Sequence, residues 1–439
     1  MVRFMCFGEV LLRFTPAESG LSPDIAAKEK WQQSVAGAEL NIAVALSRLG
    51  WQSLKIISVA PPGAKGDHII ELAKKALCGT GMTAEKLGDK GGCLAFRRAG
   101  EDIGTVHIWS QRRREYDRDQ SAFTLLDPSW FDDAFWNGLF ASSDSVEDKM
   151  PLTVFHLSGV PPLLSTTTSQ AWASSLVSAV RARDSGMPLL VTLELTPRNE
   201  VGGYLELWMK TVPHLASIDI LVLSLNILSP LCTLLGASES EGMDGLDDLR
   251  PALAGIDVIK CQKLPTGLAS LEEVDRLLAR ILKDLHQLVV GKGSRPALVV
   301  TCKLLGAKRP APDSSPMQQR WSLACIGDQV ISTAKTAVRH QPPSSEGGND
   351  AWLAGLIDKL TSSVKEGVKK SEGPYQLTVK PEEWAAALRV GDTLAALKQD
   401  RVELSSDLSA VTRSDLDAAL SSGTADGAEG VAGVESCKK

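Results

Sequence analysis

Apolar residues along the chain fall into two rhythms. Compact apolar runs bounded by turn residues have the composition of strands: Phe4–Phe14 ending near Pro16, Lys55–Ala60, Thr153–Leu157, Pro188–Leu195, Ile218–Leu223 and Leu298–Thr301. Longer stretches between them read as helices. One follows Ala36 and stops at Gly50; Gly66-Asp67 opens another over Ile69–Ala76. Gln170–Ala182 has Ser169 as its expected N-cap, and Ala351–Leu360 is apolar enough to be buried. Strands alternating with helices predict a parallel sheet covered on both faces. Cys93–Arg98 and Thr105–Ser110, joined by Ala99-Gly100-Glu101-Asp102, carry a hairpin signal and predict a small accessory sheet.

Ligands on such sheets bind beyond the carboxyl ends of the strands. Arg198, Asn226 and Gly306 fall at predicted strand ends, as does the loop before Gly347. That loop, Ser344-Ser345-Glu346-Gly347-Gly348-Asn349-Asp350, is turn chemistry running straight into an apolar helix. Two glycines ahead of a helix let several N–H groups converge, and the positive end of the helix dipole completes an anion site. Asp350, in the first turn, is placed to take a proton from a hydroxyl attacking a phosphoryl group. On these residues alone an ordinary acid-capped helix start is the alternative. Asn41, taken alone, likewise reads as a helix-start residue bonding locally.

Composition narrows the classes. The 439 residues, 44% hydrophobic and 23% charged, suit a large globular core. With 47 basic against 53 acidic side chains, no global field attracts nucleic acid, and Arg112-Arg113-Arg114 reads as a solvated strand end. No apolar run reaches the roughly 18 residues of a membrane span. The chain reads as a strand from its first residues, so a cytoplasmic location is expected. The eight cysteines are scattered without a Cys-x-x-Cys pair, the six histidines are dispersed, and no metal-ligand spacing appears. Ser238–Leu288 reads as an insertion that includes an amphipathic helix over Leu271–Leu288. Lys308–Gln319 is a Pro/Ser-rich loop, and 421–439 reads as a disordered tail.

Together these stretches resemble the ribokinase-like (PfkB) carbohydrate kinases over roughly residues 4–420. Phe7-Gly8-Glu9-Val10-Leu11-Leu12-Arg13 and Ala36-Gly37-Ala38-Glu39-Leu40-Asn41 are similar to that family's N-terminal signature. Gly347-Gly348-Asn349-Asp350 stands at its C-terminal Gly-Ala-Gly-Asp motif. The nearest branch is the 2-keto-3-deoxygluconate kinases. Tyr116-Asp117-Arg118 with Ser121-Ala122 resembles that branch's Tyr-x-Arg segment, which contacts the sugar acid; Arg198, just past a strand, matches the arginine of its Asp-x-Asn-x-Arg stretch, and Asp407 to Asp415 resembles its Gly-Asp-Phe-Asn-x-Val-Thr-Arg-x-Glu run.

The resemblance implies a three-layer α/β/α fold with a central, mostly parallel sheet and a small β-sheet lid drawn from about 10–35 and 90–120. It implies transfer of the γ-phosphoryl of ATP, with Mg²⁺, to the terminal hydroxyl of a sugar acid. Asp350 would be the base and the backbone of Gly347, Gly348, Asn349 and Asp350 the anion hole. Gly37, Asn41, Tyr116, Arg118 and Arg198 would hold the sugar acid, and Asn226, Gly306 and Gly348 the nucleotide. The two arginines suit a carboxylate, which arginine binds by a bidentate, charge-assisted pair. A homodimer through the lid is compatible with the resemblance.

The departures lie on the nucleotide side. Ser344-Ser345 replaces Asp-Thr, Glu346 stands beside the anion hole, Asn349 replaces a glycine, and Asn226-Ile227-Leu228-Ser229 lacks the acid of the family's Asn-x-x-Glu. Lys308-Arg309-Pro310 replaces the glycine expected after Gly306, and Ala36 stands for a glycine in the first signature. Three readings stay open: an active sugar-acid kinase with a divergent nucleotide pocket, a sugar-binding or scaffolding pseudokinase, and a kinase of a neutral sugar such as fructose.

Overall fold

The computed structural model describes residues 2–16, 31–78, 94–110, 113–140, 149–195, 204–224, 297–305, 317–333, 336–339, 347–364, 368–369, 375, 378–401 and 411–422. Within 276–287 it also describes 276, 278–280, 282–283 and 285–287. Sixteen strands lie in these residues: β1 (Val2–Phe7), β2 (Leu11–Pro16), β3 (Trp31–Ala36), β4 (Leu54–Ala60), β5 (Leu94–Arg98), β6 (Thr105–Ser110), β7 (Arg113–Asp117) and β8 (Lys149–Met150). The others are β9 (Leu152–Ser158), β10 (Leu189–Leu195), β11 (Ile220–Ser224), β12 (Ala297–Leu305), β13 (Met317–Ile326), β14 (Gln329–Ser332), β15 (Thr336–Arg339) and β16 (Val368–Lys369).

Ten of the strands form the central sheet, in the order β14-β13-β12-β11-β10-β9-β1-β4-β5, with β15 also on β13. From β5 to β12 every neighbour is parallel; from β12 outward the pairs are antiparallel. The central strands β9 and β10 are buried at every position, as expected of a parallel strand covered on both faces. One face packs against α1 (Ala38–Arg48), α2 (Ala64–Cys78) and helices near the C-terminus; the other carries α3 (Asp133–Phe140), α4 (Pro161–Leu164), α5 (Thr166–Asp184) and α6 (Tyr204–Thr211). The C-terminal helices are α7 (Gly348–Leu360), α8 (Pro381–Arg401) and α9 (Arg413–Ser422). The fold is a three-layer α/β/α sandwich. Helices α7 and α8 meet backbone to backbone, since a methyl group on Gly391 would sit 2.8 Å from the Trp352 carbonyl oxygen.

A second sheet, β3-β2-β6-β7, forms the lid, and β8 and β16 make a two-stranded ribbon. Two expectations change here. The single strand over Phe4–Phe14 is two strands in two sheets: β1 ends at Phe7, and the chain crosses to the lid through Gly8-Glu9-Val10. The Glu39 carboxyl group packs so closely on Gly8 that a side chain there would lie 2.2 Å from it. Nor do 94–98 and 105–110 form a hairpin. β5 pairs parallel with β4 at the edge of the central sheet, from Ile56↔Leu94 to Ala60↔Arg98. The connection after it docks onto the 121–122 segment, where Ala122 donates its N–H to the Asp102 carbonyl at 2.9 Å. The lid hairpin is β6–β7 instead.

Helix ends shift as well. α5 is capped by Ser165, four residues before Ser169, and α2 starts at Ala64. The described residues of 276–287 are helical with Leu278, Leu282 and Leu285 buried, matching the amphipathic helix. The rest of 238–288, 308–316 of the Pro/Ser loop and 423–439 lie outside the described residues. Among the described residues no helix is long and apolar enough to cross a membrane.

Candidate active site

Two helices point their N-termini into one cleft beneath the lid. α1 starts from Gly37, at φ 141°, where a Cβ would sit 2.4 Å from the Glu9 carbonyl oxygen. α7 starts from Gly347 in the left-handed region, φ 65° and ψ 4°. Neither start has a side-chain cap, so the first-turn N–H groups keep their donor capacity for something else. Across the gap, Asn41 donates its side-chain amide to the Asp350 carboxylate, Nδ2 to Oδ2, at 2.7 Å. Asp350 is 7% exposed.

Of the residues expected from the sequence, the cleft gathers Gly37, Asn41, Tyr116, Arg118, Gly347 and Asp350. Gly348 is buried in the first turn of α7, with Gln399 packed where a side chain would project; Asn349 follows it in the same turn. Arg198, Asn226 and Gly306 lie outside the described residues.

Four more charged residues line the cleft: Glu9, Arg13, Glu39 and Arg114. Glu9 follows the carboxyl end of β1 and pairs with Arg118, Oε2 to Nε at 3.4 Å, while Ser121 donates its hydroxyl to Oε1 at 2.7 Å. Burial pushes the Glu9 carboxyl up from the usual range, against the smaller downward pull of Arg118 and Ser121. The Arg118 guanidinium also lies over the Tyr116 ring, 4.4 Å from its centre. Glu39 accepts from the Ser158 hydroxyl at 2.5 Å and its N–H at 3.2 Å. Period-two alternation could have drawn attention to Arg13 and Arg114, because it puts Leu11 with Arg13 and Arg114 with Tyr116 on shared strand faces. It could not say that those faces meet.

No protein-family model and no curated protein matches the chain. Solved structures do. The 2-dehydro-3-deoxygluconokinase of Thermotoga maritima superposes with a TM-score of 0.62 at 15% identity, covering 96% of this chain and 98% of its own. A PfkB family carbohydrate kinase of Listeria grayi gives 0.58 at 16%, covering 95% and 99%. The fructokinase of Xylella fastidiosa with bound ATP gives 0.59 at 15%, covering 96% and 99%. The chain has the fold of the PfkB carbohydrate kinases.

In this kinase fold the helix that carries Asp350 is braced from behind and tied at its far end. Trp352 donates its indole N–H to Ser322 Oγ at 2.9 Å, and Ser322 donates in turn to Asp392 at 2.7 Å. Thr333 at 2.8 Å and Arg320 at 3.3 Å also bond Asp392, whose carboxyl burial pushes up. At the other end, Asp358 of α7 accepts from Trp51 Nε1 at 2.9 Å and from Arg413 at 2.6 Å; Arg413 also donates to the Leu49 carbonyl, at the C-terminus of α1, at 3.0 Å. Thr412 and Asp415 close the start of α9. Of the Asp407–Asp415 motif, 407–410 lie outside the described residues; the remainder has a structural part, fastening α1 to α7, and the Asn41–Asp350 bond is made between helices held at both ends. Among the described residues, no group of three metal-ligating side chains is present.

Proposed function

We propose that the protein is an ATP-dependent carbohydrate kinase that phosphorylates the terminal hydroxyl of a sugar acid, 2-keto-3-deoxygluconate first among them. The observation that carries this is the Asn41–Asp350 hydrogen bond at the mouth of two uncapped helix starts. Asp350 takes the proton of the attacking hydroxyl as its oxygen bonds to the γ-phosphorus and the bond to the β-phosphate oxygen breaks, releasing ADP. The backbone N–H groups of Gly347, Gly348, Asn349 and Asp350 receive the charge on the transferred phosphoryl group. Asn41 orients Asp350 by its 2.7 Å bond, and Gly37 leaves room for the sugar at the start of α1. The lid, with Tyr116 and Arg118, keeps water out.

The uncapped glycine start of α7 fits a phosphate group. With no side-chain cage for a cation among the described residues, Mg²⁺ would ride on the nucleotide phosphates and water, as this ion commonly does, and would neutralise the nucleotide. Arg198, Asn226, Gly306 and Gly348 belong to the proposal as sugar-acid and nucleotide contacts. So does a homodimer through the lid, whose Phe14 and His107 rings stack 4.6 Å apart with Trp31 edge-on to His107; light scattering gives its mass.

One observation favours a neutral acceptor such as fructose: the Arg118 charge is already met by Glu9 at 3.4 Å. The test is a coupled ADP-release assay with ATP and Mg²⁺, offering 2-keto-3-deoxygluconate and fructose in parallel, beside Asp350→Ala. Turnover of the sugar acid that disappears in the variant supports the reading. Turnover of fructose alone moves it to the neutral sugar. Sugar binding by calorimetry without any ADP release overturns it in favour of a pseudokinase.

A further inference from the structure

The connections that carry the lid meet at one residue. Among the described residues the chain crosses between the lid and the layers beneath it four times: from β1 to β2 at 8–10, from β3 to α1 at Gly37, from β5 to β6 at 99–104, and out of β7 at 118–122. Glu9 lies in the first crossing and packs against the other three. Its carbonyl oxygen occupies the space a methyl group on Gly37 would need, at 2.4 Å. Its Oε1 stands against Gly104, where an added Cβ would lie 2.4 Å away. In the last crossing Ser121 donates to Oε1 at 2.7 Å, and Arg118 pairs with Oε2 at 3.4 Å.

The crossings are also joined to one another around this residue. Asp102 and Ser121 form a single parallel bridge, and Ala122 donates its N–H to the Asp102 carbonyl at 2.9 Å. Gly100, at φ 72°, allows that approach, since a Cβ there would lie 2.8 Å from the Ala122 Cα. Leu12, just past the first crossing, donates its N–H to the Gly104 carbonyl at 2.9 Å. Glu9 itself is 5% exposed. An apolar side chain would fill such a space without the desolvation penalty of a buried carboxyl. It could not hold a neighbouring connection by directed bonds, which is what Glu9 does.

Building on the kinase reading above, we infer that Glu9 is the pin that fixes the pose of the lid over the cleft, and is thereby a positioning residue for the acceptor sugar. Tyr116 and Arg118 reach the cleft from β7 and from its exit, so their placement follows the pin. Asp350 and the start of α7 belong to the layers beneath and stay where they are. A lid that holds its binding pose only part of the time lowers the apparent acceptor affinity by that fraction. The transfer step is spared.

The first test is hydrogen exchange of the full chain without any ligand, read strand by strand by mass spectrometry, on the wild type, Glu9→Ala, Glu9→Gln and Gly104→Ala. In Glu9→Ala, and in Gly104→Ala, whose methyl group displaces the carboxyl, the amides of β2, β6 and β7 should exchange about tenfold faster or more, as loss of a charge-assisted hydrogen bond predicts. Those of β9 and β10 should keep their wild-type rates. Glu9→Gln, whose amide oxygen can still accept from Ser121, should show the same pattern more weakly, and it carries the test if the alanine variant fails to fold. Unchanged lid exchange in the Glu9 variants overturns the proposal. So does acceleration shared equally by β9 and β10, which reports only a lost global stability.

Kinetics with ATP and the sugar that is turned over then read the positioning role: the acceptor KM should rise in step with lid exchange while kcat holds. A raised KM with wild-type lid exchange would make Glu9 a direct sugar contact and overturn the pin. Faster lid exchange with an unchanged KM overturns the positioning role. A wild type that releases no ADP sinks the kinase reading, and the exchange pattern still decides the pin.

Discussion

Helices α5 and α9 begin closed, whereas α1 and α7 begin open. Ser165 and Thr168 exchange side-chain and backbone hydrogen bonds at the start of α5, and Thr412 and Asp415 do the same before α9. At α1 and α7 a glycine stands in the cap position and no side chain closes the first turn. A side-chain cap is worth roughly 1 kcal/mol, and a sequence selected only for stability would have one at each helix. Both of these helices open into the same cleft, and each contributes a polar side chain that meets the other's. The difference separates helix starts that hold the fold from helix starts that serve a ligand. It is a stronger pointer to the site than any one glycine-rich stretch.

The largest effect that could break this contrast is at Asp350. Asp350→Asn keeps the shape and removes the proton acceptor, so ADP release should fall about 10³-fold, within the usual range for a general base. A fall of less than about tenfold would make the open start of α7 an ornament. Next come the glycines. Gly37→Ala places a methyl group against the Glu9 carbonyl oxygen, 2.4 Å away, so backbone must move. Urea unfolding should show a loss of about 1–3 kcal/mol, and the acceptor KM should rise with it. Gly347→Ala should cost about 1–2 kcal/mol through its left-handed backbone. Gly347→Asn should cost less, because asparagine tolerates that region best among residues with a side chain. If the alanine and asparagine variants lose stability equally, the backbone argument at Gly347 fails.

Much of this was legible in the sequence, for reasons that differ by region. The parallel strands β9, β10 and β11 are mostly apolar, and such runs bounded by turn residues identify themselves. The start of α7 announced itself because glycines and an acid precede a long apolar helix. The partnership of Asn41 and Asp350 was not visible in either segment, since 309 residues separate them and only the sheet order brings the helices together. Glu9, Arg13 and Arg114 were missed as site residues because the chain changes sheets at 8–10, and again between β5 and β6. Each change resets which face an alternating residue occupies, and a one-residue slip reverses it. The N-cap of α5 was misplaced for a local reason. Ser165-Thr166-Thr167-Thr168-Ser169 offers five hydroxyl side chains, each able to cap. Ser165 is singled out by its reciprocal bonds with Thr168 and by the shorter tertiary contact with the Thr124 carbonyl, 2.7 Å against 3.4 Å from the Thr167 hydroxyl.

A smaller effect tests the strand beside the site. His156, on β9 two residues before the Ser158 that holds Glu39, is fully buried, and desolvation pulls its pKa down to about 3. An unfolded histidine binds its proton near 6.5, so the folded state is at a disadvantage wherever only the unfolded chain is protonated. The stability is present in full above pH 6.5 and is lost as the pH falls toward 3, at about 1.4 kcal/mol per unit. Urea unfolding at pH 7 and pH 5 should differ by about 2 kcal/mol on this account. His156→Gln should shrink that difference, since the amide can still bond Thr192, which lies 2.9 Å from the ring nitrogen. An undiminished pH dependence would assign the acid sensitivity to another group.

The smallest effect is the sharpest control on the contrast between closed and open starts. Ser165→Ala removes the α5 cap and should cost about 1 kcal/mol in urea unfolding. α5 lies on the face of the sheet opposite α1 and α7, so kcat and KM should stay at their wild-type values. The Gly37 and Gly347 variants should move stability and KM together, so the two kinds of start separate on a plot of one against the other. A Ser165→Ala variant with a raised acceptor KM would place all four helix starts on one line. The open starts would then be ordinary weak caps, and the case for the cleft would rest on the Asn41–Asp350 bond alone.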